Sequence, residues 1–402
     1  MTYLWLSFAF VGVAAAAGFV LSRVRAPRGS AQSHWGAVAV TFVALAILTA
    51  IFDSVMIGLG LFSYDEAHLA GIHIGLAPIE DFAYPLACAL LLPALWLALT
   101  RARRARQARE AGALRGLVTQ AFVASRPVSW VNTAYPFAAA MLLTTREIDW
   151  VLIVGTIYFL IPYNLAMYGI NDVFDYASDL HNPRKGGIEG ALLPPRLHRP
   201  MLWLVAITNV PFLIVLALAG GPAVWISLAV SIFAVIAYSA PGLRFKERPV
   251  LDSLTSSTHF VSPAVVGLAL AGAEVTPGLM SLLGAFCLWG MAAHAFGAVQ
   301  DILPDRQASI ASIATVLGAR RTVRLALVLW TAAGLAMLAT PWPGPLAALI
   351  ALPYLLNCVS WWNVTDESAA QTNRAWRRFI WLNYVSGFLV TLILILFWRQ
   401  TS

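Results

Sequence analysis

The sequence predicts an all-α polytopic membrane protein with about twelve transmembrane helices, three followed by nine. Three observations carry this. Of 402 residues, 60% are hydrophobic and 11% charged, whereas a soluble domain carries roughly 25% charged residues. Apolar runs long enough to cross a hydrocarbon core recur along the chain. Lys and Arg gather in alternate loops, as the orientation rule for membrane helices requires.

The first three spans are predicted near residues 3–22, 35–61 and 77–100. The Ala14–Gly18 run resembles the apolar part of a signal peptide, but no basic residue precedes it, and cleavage would strand Arg23, Arg25 and Arg28 on the wrong side. It is therefore read as a span. A basic stretch, Arg101-Ala-Arg-Arg-Ala-Arg, interrupts the apolar pattern and is predicted to be a solvated or interfacial helix within a cytoplasmic linker, residues 101–124. Nine further spans follow near 128–145, 149–169, 201–219, 222–240, 254–272, 276–297, 323–340, 344–363 and 379–397. The domains expected are thus 1–100 and 125–402, joined by the linker.

With both termini outside the cell membrane, 24 of the 26 Lys and Arg residues fall in internal loops, leaving only Arg146 and Arg399 elsewhere. The formal charge of +7 then reflects membrane orientation and contact with membrane lipid, and no nucleic-acid partner is expected. Cys88, Cys287 and Cys358 lie inside spans without metal-ligand spacing and read as small core residues.

Two acidic clusters stand at cytoplasmic ends of spans: Asn171-Asp172-Val-Phe-Asp175-Tyr-Ala-Ser-Asp179 and Asp301-Ile-Leu-Pro-Asp305. If helix continues through the first, Asp172, Asp175 and Asp179 share a face, as do Asp301 and Asp305. Like charges held together at a membrane boundary need a cation. Magnesium (Mg2+) takes hard oxygen ligands and completes its shell with phosphates, so two facing acidic patches suggest a diphosphate carried on metal, with Asn171 as a neutral ligand or positioning group. Arg184 and Lys185, and Arg244 and Lys246 in the next internal loop, are candidate diphosphate contacts or simply determinants of orientation. Asn164 and His294 lie two turns deeper than Asn171 and Asp301, where each either lines a cavity or bridges helices. Tyr168 is a candidate to face a carbocation or to pack.

Residues 125–402 resemble the UbiA superfamily of intramembrane prenyltransferases. The resemblance rests on both acidic motifs, on the opening Ser125-Arg126-Pro127-Val-Ser-Trp130, and on the Tyr238-Ser-Ala-Pro-Gly-Leu-Arg244-Phe-Lys246 segment. It implies a nine-helix fold and a magnesium-dependent enzyme. The stretches Asn171–Gly190 and His294–Gly318 look most like lycopene elongases, which implies dimethylallyl diphosphate as donor and lycopene or a related polyene as acceptor. Residues 1–100 resemble the three-span subunits of heterodimeric carotenoid cyclases, on Ile-Phe-Asp53-Ser, Gly-Leu-Phe-Ser-Tyr64-Asp and Pro78-Ile-Glu80-Asp81-Phe82. Cyclisation of a polyene needs a proton donor in an apolar pocket, so Asp53, Glu80 and Asp81 are candidate acids. Such subunits work in pairs, which implies a second small subunit. The predicted topology places Asp53 and Glu80 toward the outer side and the metal site inward. Two other readings stay open: a prenyltransferase acting on a quinone or porphyrin with a non-catalytic N-terminal assembly module, and a secondary transporter whose acids bind ions. Magnesium-dependent release of diphosphate separates transfer from transport.

Overall fold

The computed structural model describes residues 2–23, 35–107, 113–176 and 192–401. They fold almost wholly as helix, in two units, Met1–Gly112 and Ala113–Ser402.

In the first unit, α1 (Thr2–Arg23) and α2 (Trp35–Gly58) both pack against α3 (Ala83–Gln107). Between α2 and α3 lies a two-stranded hairpin, His73–Ile74 with Ala77–Pro78. Its turn needs the left-handed backbone of Gly75, φ +67°, a conformation a residue with a Cβ enters at a cost. The turn is pinned to α2, because the Leu76 amide donates to Ser54 Oγ at 3.0 Å. A short 3-10 helix, Ile79–Phe82, follows and carries Glu80 and Asp81 toward the end of α2.

The second unit opens with α4 (Ala113–Ala124), α5 (Val131–Thr145), α6 (Trp150–Leu160) and α7 (Pro162–Phe174). The helix predicted over 149–169 is broken, because Pro162 lacks the N–H that would continue it. In hydrocarbon the freed carbonyls need donors. Asn164 supplies them: its two amide hydrogens are shared among the carbonyls of Phe159 and Leu160, at 2.9 and 3.1 Å from the nitrogen, and Thr133 Oγ1 of α5 at 2.7 Å. Fully enclosed, Asn164 closes a helix break and does not line a cavity.

Next come α8 (His198–Ala219), α9 (Pro222–Ser239), α10 (Leu251–Leu270), α11 (Pro277–Val299), the short α12 (Ile302–Gln307) and α13 (Ile313–Leu317), α14 (Ala319–Met337), α15 (Ala351–Val359) and α16 (Asn373–Thr401). Among the described residues, seven helical segments are long and apolar enough to cross a bilayer, from Tyr3–Leu21 to Asp366–Gln400. The chain is thus an integral multi-pass membrane protein. Others fall short for visible reasons: α5 has only 15 residues, and α10 buries Asp252, Ser253, Thr255, Ser257 and His259 along its length.

Two aromatic-rich cores flank that polar helix. One gathers Phe137, Tyr158, Phe159, Tyr163 and Met201; the other gathers Phe296, Trp330, Tyr354 and Phe379. Helix α10 meets α5, α9 and α11, and small residues let it approach closely. At Gly267 an added Cβ would stand 2.7 Å from the backbone oxygen of Phe137 on α5, so a helix must shift. Gly267→Ala is expected to destabilise the fold by about 1–3 kcal/mol, read as a lower melting temperature of the detergent-solubilised protein. An unchanged melting temperature would show the contact to be looser than described.

Candidate active site

The first acidic motif sits where α7 ends. Helix stops at Phe174, with Asp175 as its C-cap, so Asp172 lies in the last turn and Asp175 just beyond it. Asp179, Arg184 and Lys185 lie outside the described residues. Asp172 is fully buried and accepts from Arg126 Nη2 at 3.3 Å. The same guanidinium lies 4.1 Å over the ring of Tyr168, one turn back on α7. Asn171 Oδ1 accepts from Ser239 Oγ at 2.8 Å, which ties α7 to the end of α9.

Asp175, nearly buried, pairs with Lys246 Nζ. Arg244 stands 4.0 Å from the same oxygen and 2.7 Å from Glu247. Burial pushes the Lys246 ammonium down to about 8, while Glu247, Asp305 and Asp172 oppose that shift. Lys246 therefore lies within electrostatic reach of both acidic motifs.

Arg126 and Arg244 share a local device. Both have left-handed backbones, φ 49° and φ 42°, and each precedes a 3-10 turn, Pro127–Ser129 and Phe245–Glu247. That conformation costs a branched or long side chain on the order of 1 kcal/mol or more. It sets both guanidiniums beside the carboxylates of α7.

Asp301 caps the start of α12 and Asp305 lies inside it, with the Asp305 amide donating to the Asp301 carbonyl at 2.8 Å. The two are helical neighbours, as their spacing predicts. Arg306 anchors the segment, bonding Asp366 at 2.7 Å and the Thr315 carbonyl at 3.0 Å; Asp366 also accepts from the Ala319 amide at the start of α14. His294, on α11, contacts Tyr238 at 3.2 Å. Tyr168, Tyr238 and His294 are each half-buried. Tyr238 lies within electrostatic reach of Arg126, Tyr168 and Asp305.

In the first unit, Asp81 lies within electrostatic reach of Asp53, and Tyr64 donates to Asp81 Oδ2 at 2.8 Å. Burial raises the Asp81 carboxyl above the usual aspartate range, against hydrogen bonds that lower it, and burial with the adjacent Asp81 raises the Tyr64 phenol. Glu80 is buried. One of its oxygens accepts from the Ala70 amide at 2.7 Å, and the other is enclosed without a hydrogen-bond partner.

Residues 133–383 match the family model for the UbiA prenyltransferase family. The chain belongs to that family. Residues 1–99 match the lycopene cyclase family model, so a UbiA domain and a cyclase-family domain share one chain. The chain is 50% identical over 398 residues to the C(50) beta-cyclic carotenoids biosynthesis protein LbtBC of Dietzia sp., with 92% of each chain covered. It is 52% identical over 276 residues to a lycopene elongase/hydratase of Corynebacterium glutamicum, covering 68% of this chain and 95% of that one. A solved digeranylgeranylglyceryl phosphate synthase superposes on 70% of this chain and 98% of its own with a TM-score of 0.52 and 12% identity, a likeness of fold alone.

The UbiA site offers hard carboxylate oxygens, which fit magnesium in chemistry. Among the described residues no three acidic, histidine or cysteine side chains are gathered closely enough to enclose an ion. Asp172 and Asp175 instead hold Arg126 and Lys246. Sequence reasoning missed several of these participants. Arg126 was legible only as part of a motif, Tyr238 likewise, and Arg306 and Asp366 gave no signal, because their pairing joins distant loops.

Proposed function

We propose that the UbiA domain transfers dimethylallyl groups from dimethylallyl diphosphate to the ends of lycopene, giving fifty-carbon carotenoids. The cyclase-family domain supplies half of a carotenoid cyclase that a second small subunit completes. The observation that carries the transferase reading is the position of Lys246, paired with Asp175 and within reach of Asp172 and Asp305. The Asp175 pair sets Lys246 at the first acidic motif, and its electrostatic coupling to Asp305 supports a shared basic centre suited to a diphosphate. The names borne by the relatives from Dietzia and Corynebacterium support lycopene as acceptor.

In this reading Asn171, Asp172, Asp175, Asp179, Asp301 and Asp305 hold magnesium. When bound, the metal neutralises charge developing on the leaving diphosphate. Lys246 and Arg244, with Arg184 and Lys185, bind the diphosphate oxygens and orient the allylic carbon. Arg126 holds the Tyr168 ring under its guanidinium. In the cyclase-family domain, Asp53, Glu80 and Asp81 supply the proton that starts ring closure, and Tyr64 orients Asp81. Burial keeps Asp81 protonated to higher pH than an exposed aspartate, and the enclosed second oxygen of Glu80 suits delivery of a proton to an apolar chain. Orientation of the acidic motifs toward the cytoplasm, with both termini outside, belongs to the same proposal.

Expression in cells that accumulate lycopene tests it. Pigment chromatography is expected to show carotenoids with one or two added five-carbon units, and rings only when the partner subunit is co-expressed. Unaltered lycopene, with the protein present in the membrane, would refute the assignment of acceptor.

A further inference from the structure

A directed chain of hydrogen bonds runs inward from Tyr238. Ser253 Oγ donates its single proton to Asp252 Oδ1 at 3.2 Å, so it accepts from His294 Nδ1, 3.1 Å away. A neutral imidazole has one N–H and one bare nitrogen. His294 Nε2 is therefore the acceptor, and it takes the Tyr238 hydroxyl proton at 3.2 Å. The far end is fixed as well: Asp252, fully buried, accepts the backbone amides of Ser253 and Ile313, each at 2.6 Å. The chain crosses α9, α10, α11 and the start of α13. Its outer end adjoins the first acidic motif, since Ser239, the next residue, bonds Asn171.

Resting on the prenyl-transfer reading, we propose that Tyr238 and His294 take the proton that ends the reaction, with Ser253 and Asp252 as positioning residues. Addition of the allylic cation to a terminal double bond of the polyene leaves a tertiary carbocation. A C–H bond on a neighbouring carbon breaks, and its electron pair becomes the new C=C bond. The proton goes to Tyr238 Oη as the phenol passes its own proton to His294 Nε2. The positive charge on carbon is thereby replaced by one on the imidazole, opposite Asp252 through Ser253, and charge balances. Water capture of the same cation would give a tertiary alcohol, so the relay decides between alkene and alcohol.

His294→Gln separates basicity from geometry: its amide can donate to Ser253 and accept from Tyr238, yet cannot take a proton. In membranes supplied with dimethylallyl diphosphate, magnesium and lycopene, the alkene-to-alcohol ratio of the elongated product is expected to fall on the order of 100-fold. An unchanged ratio, or a wild-type product that is all alcohol, would overturn the proposal. Independently of acceptor, 15N-histidine NMR of the wild-type protein, with the His294 signals identified by their loss in H294Q, is expected to show the Nδ1–H tautomer. An Nε2–H tautomer overturns the relay. If wild-type protein leaves lycopene unaltered, the acceptor assignment fails, while the tautomer still decides the relay.

Discussion

Asp175→Ala is expected to lower magnesium-dependent diphosphate release by more than about 100-fold, the upper cost of losing a hydrogen-bond partner behind a metal ligand, because here the proposed ligand itself is removed. Its position makes the effect specific. Asp175 caps α7 outside the last helical turn, so the substitution leaves the helix ladder intact. It deprives Lys246 of its ion pair and removes a carboxylate from the border between the two acidic motifs. Diphosphate release should be measured in membranes, with protein quantity determined in parallel, because membrane insertion is expected to be unaffected. Near-normal release from Asp175→Ala would remove this residue from the proposed metal set and, with it, the Lys246-centred account of the site.

The second large effect is expected in the other domain. Asp53→Ala should reduce ring formation at least 100-fold, within the range of general acid catalysis, while elongated acyclic pigments continue to form. The pair Asp53–Asp81 explains why one residue matters so much. Tyr64 already donates to Asp81, and Asp53 lies within electrostatic reach of the same carboxyl, so in the proposed reading loss of Asp53 removes one of the acids from the proton-donating group. Pigment chromatography from lycopene-accumulating cells co-expressing the partner reads both outcomes at once. Unchanged cyclic product would assign the proton to Glu80 or Asp81 instead.

How far the sequence reached is clearest at α7. Asp172 and Asp175 were legible because their spacing and their position at the end of an apolar run are local properties. The partners of Asp175 were not, since Lys246 and Arg244 reach it from another loop. The break at Pro162 carried its own signal, and a proline inside a predicted span is a reason to divide it. The pairing of Asp53 with Asp81 needed the Gly75 hairpin to bring the 3-10 helix back to α2. Likewise Tyr238, Ser253 and His294 come from three helices, and Asp252 reads in sequence only as an acidic helix start. Composition and periodicity identify which side chains are costly in a membrane. They do not say which partners meet across helices.

The two arginines at the rim of the transferase site have a wider meaning. Asparagine or glycine would occupy their left-handed backbones with less strain, and neutral residues opposite would remove the need for enclosed charge. A chain selected for endurance alone would carry neither arginine. If the proposed diphosphate site is right, these are two points where durability yields to chemistry, and stabilising changes made there are expected to lower activity.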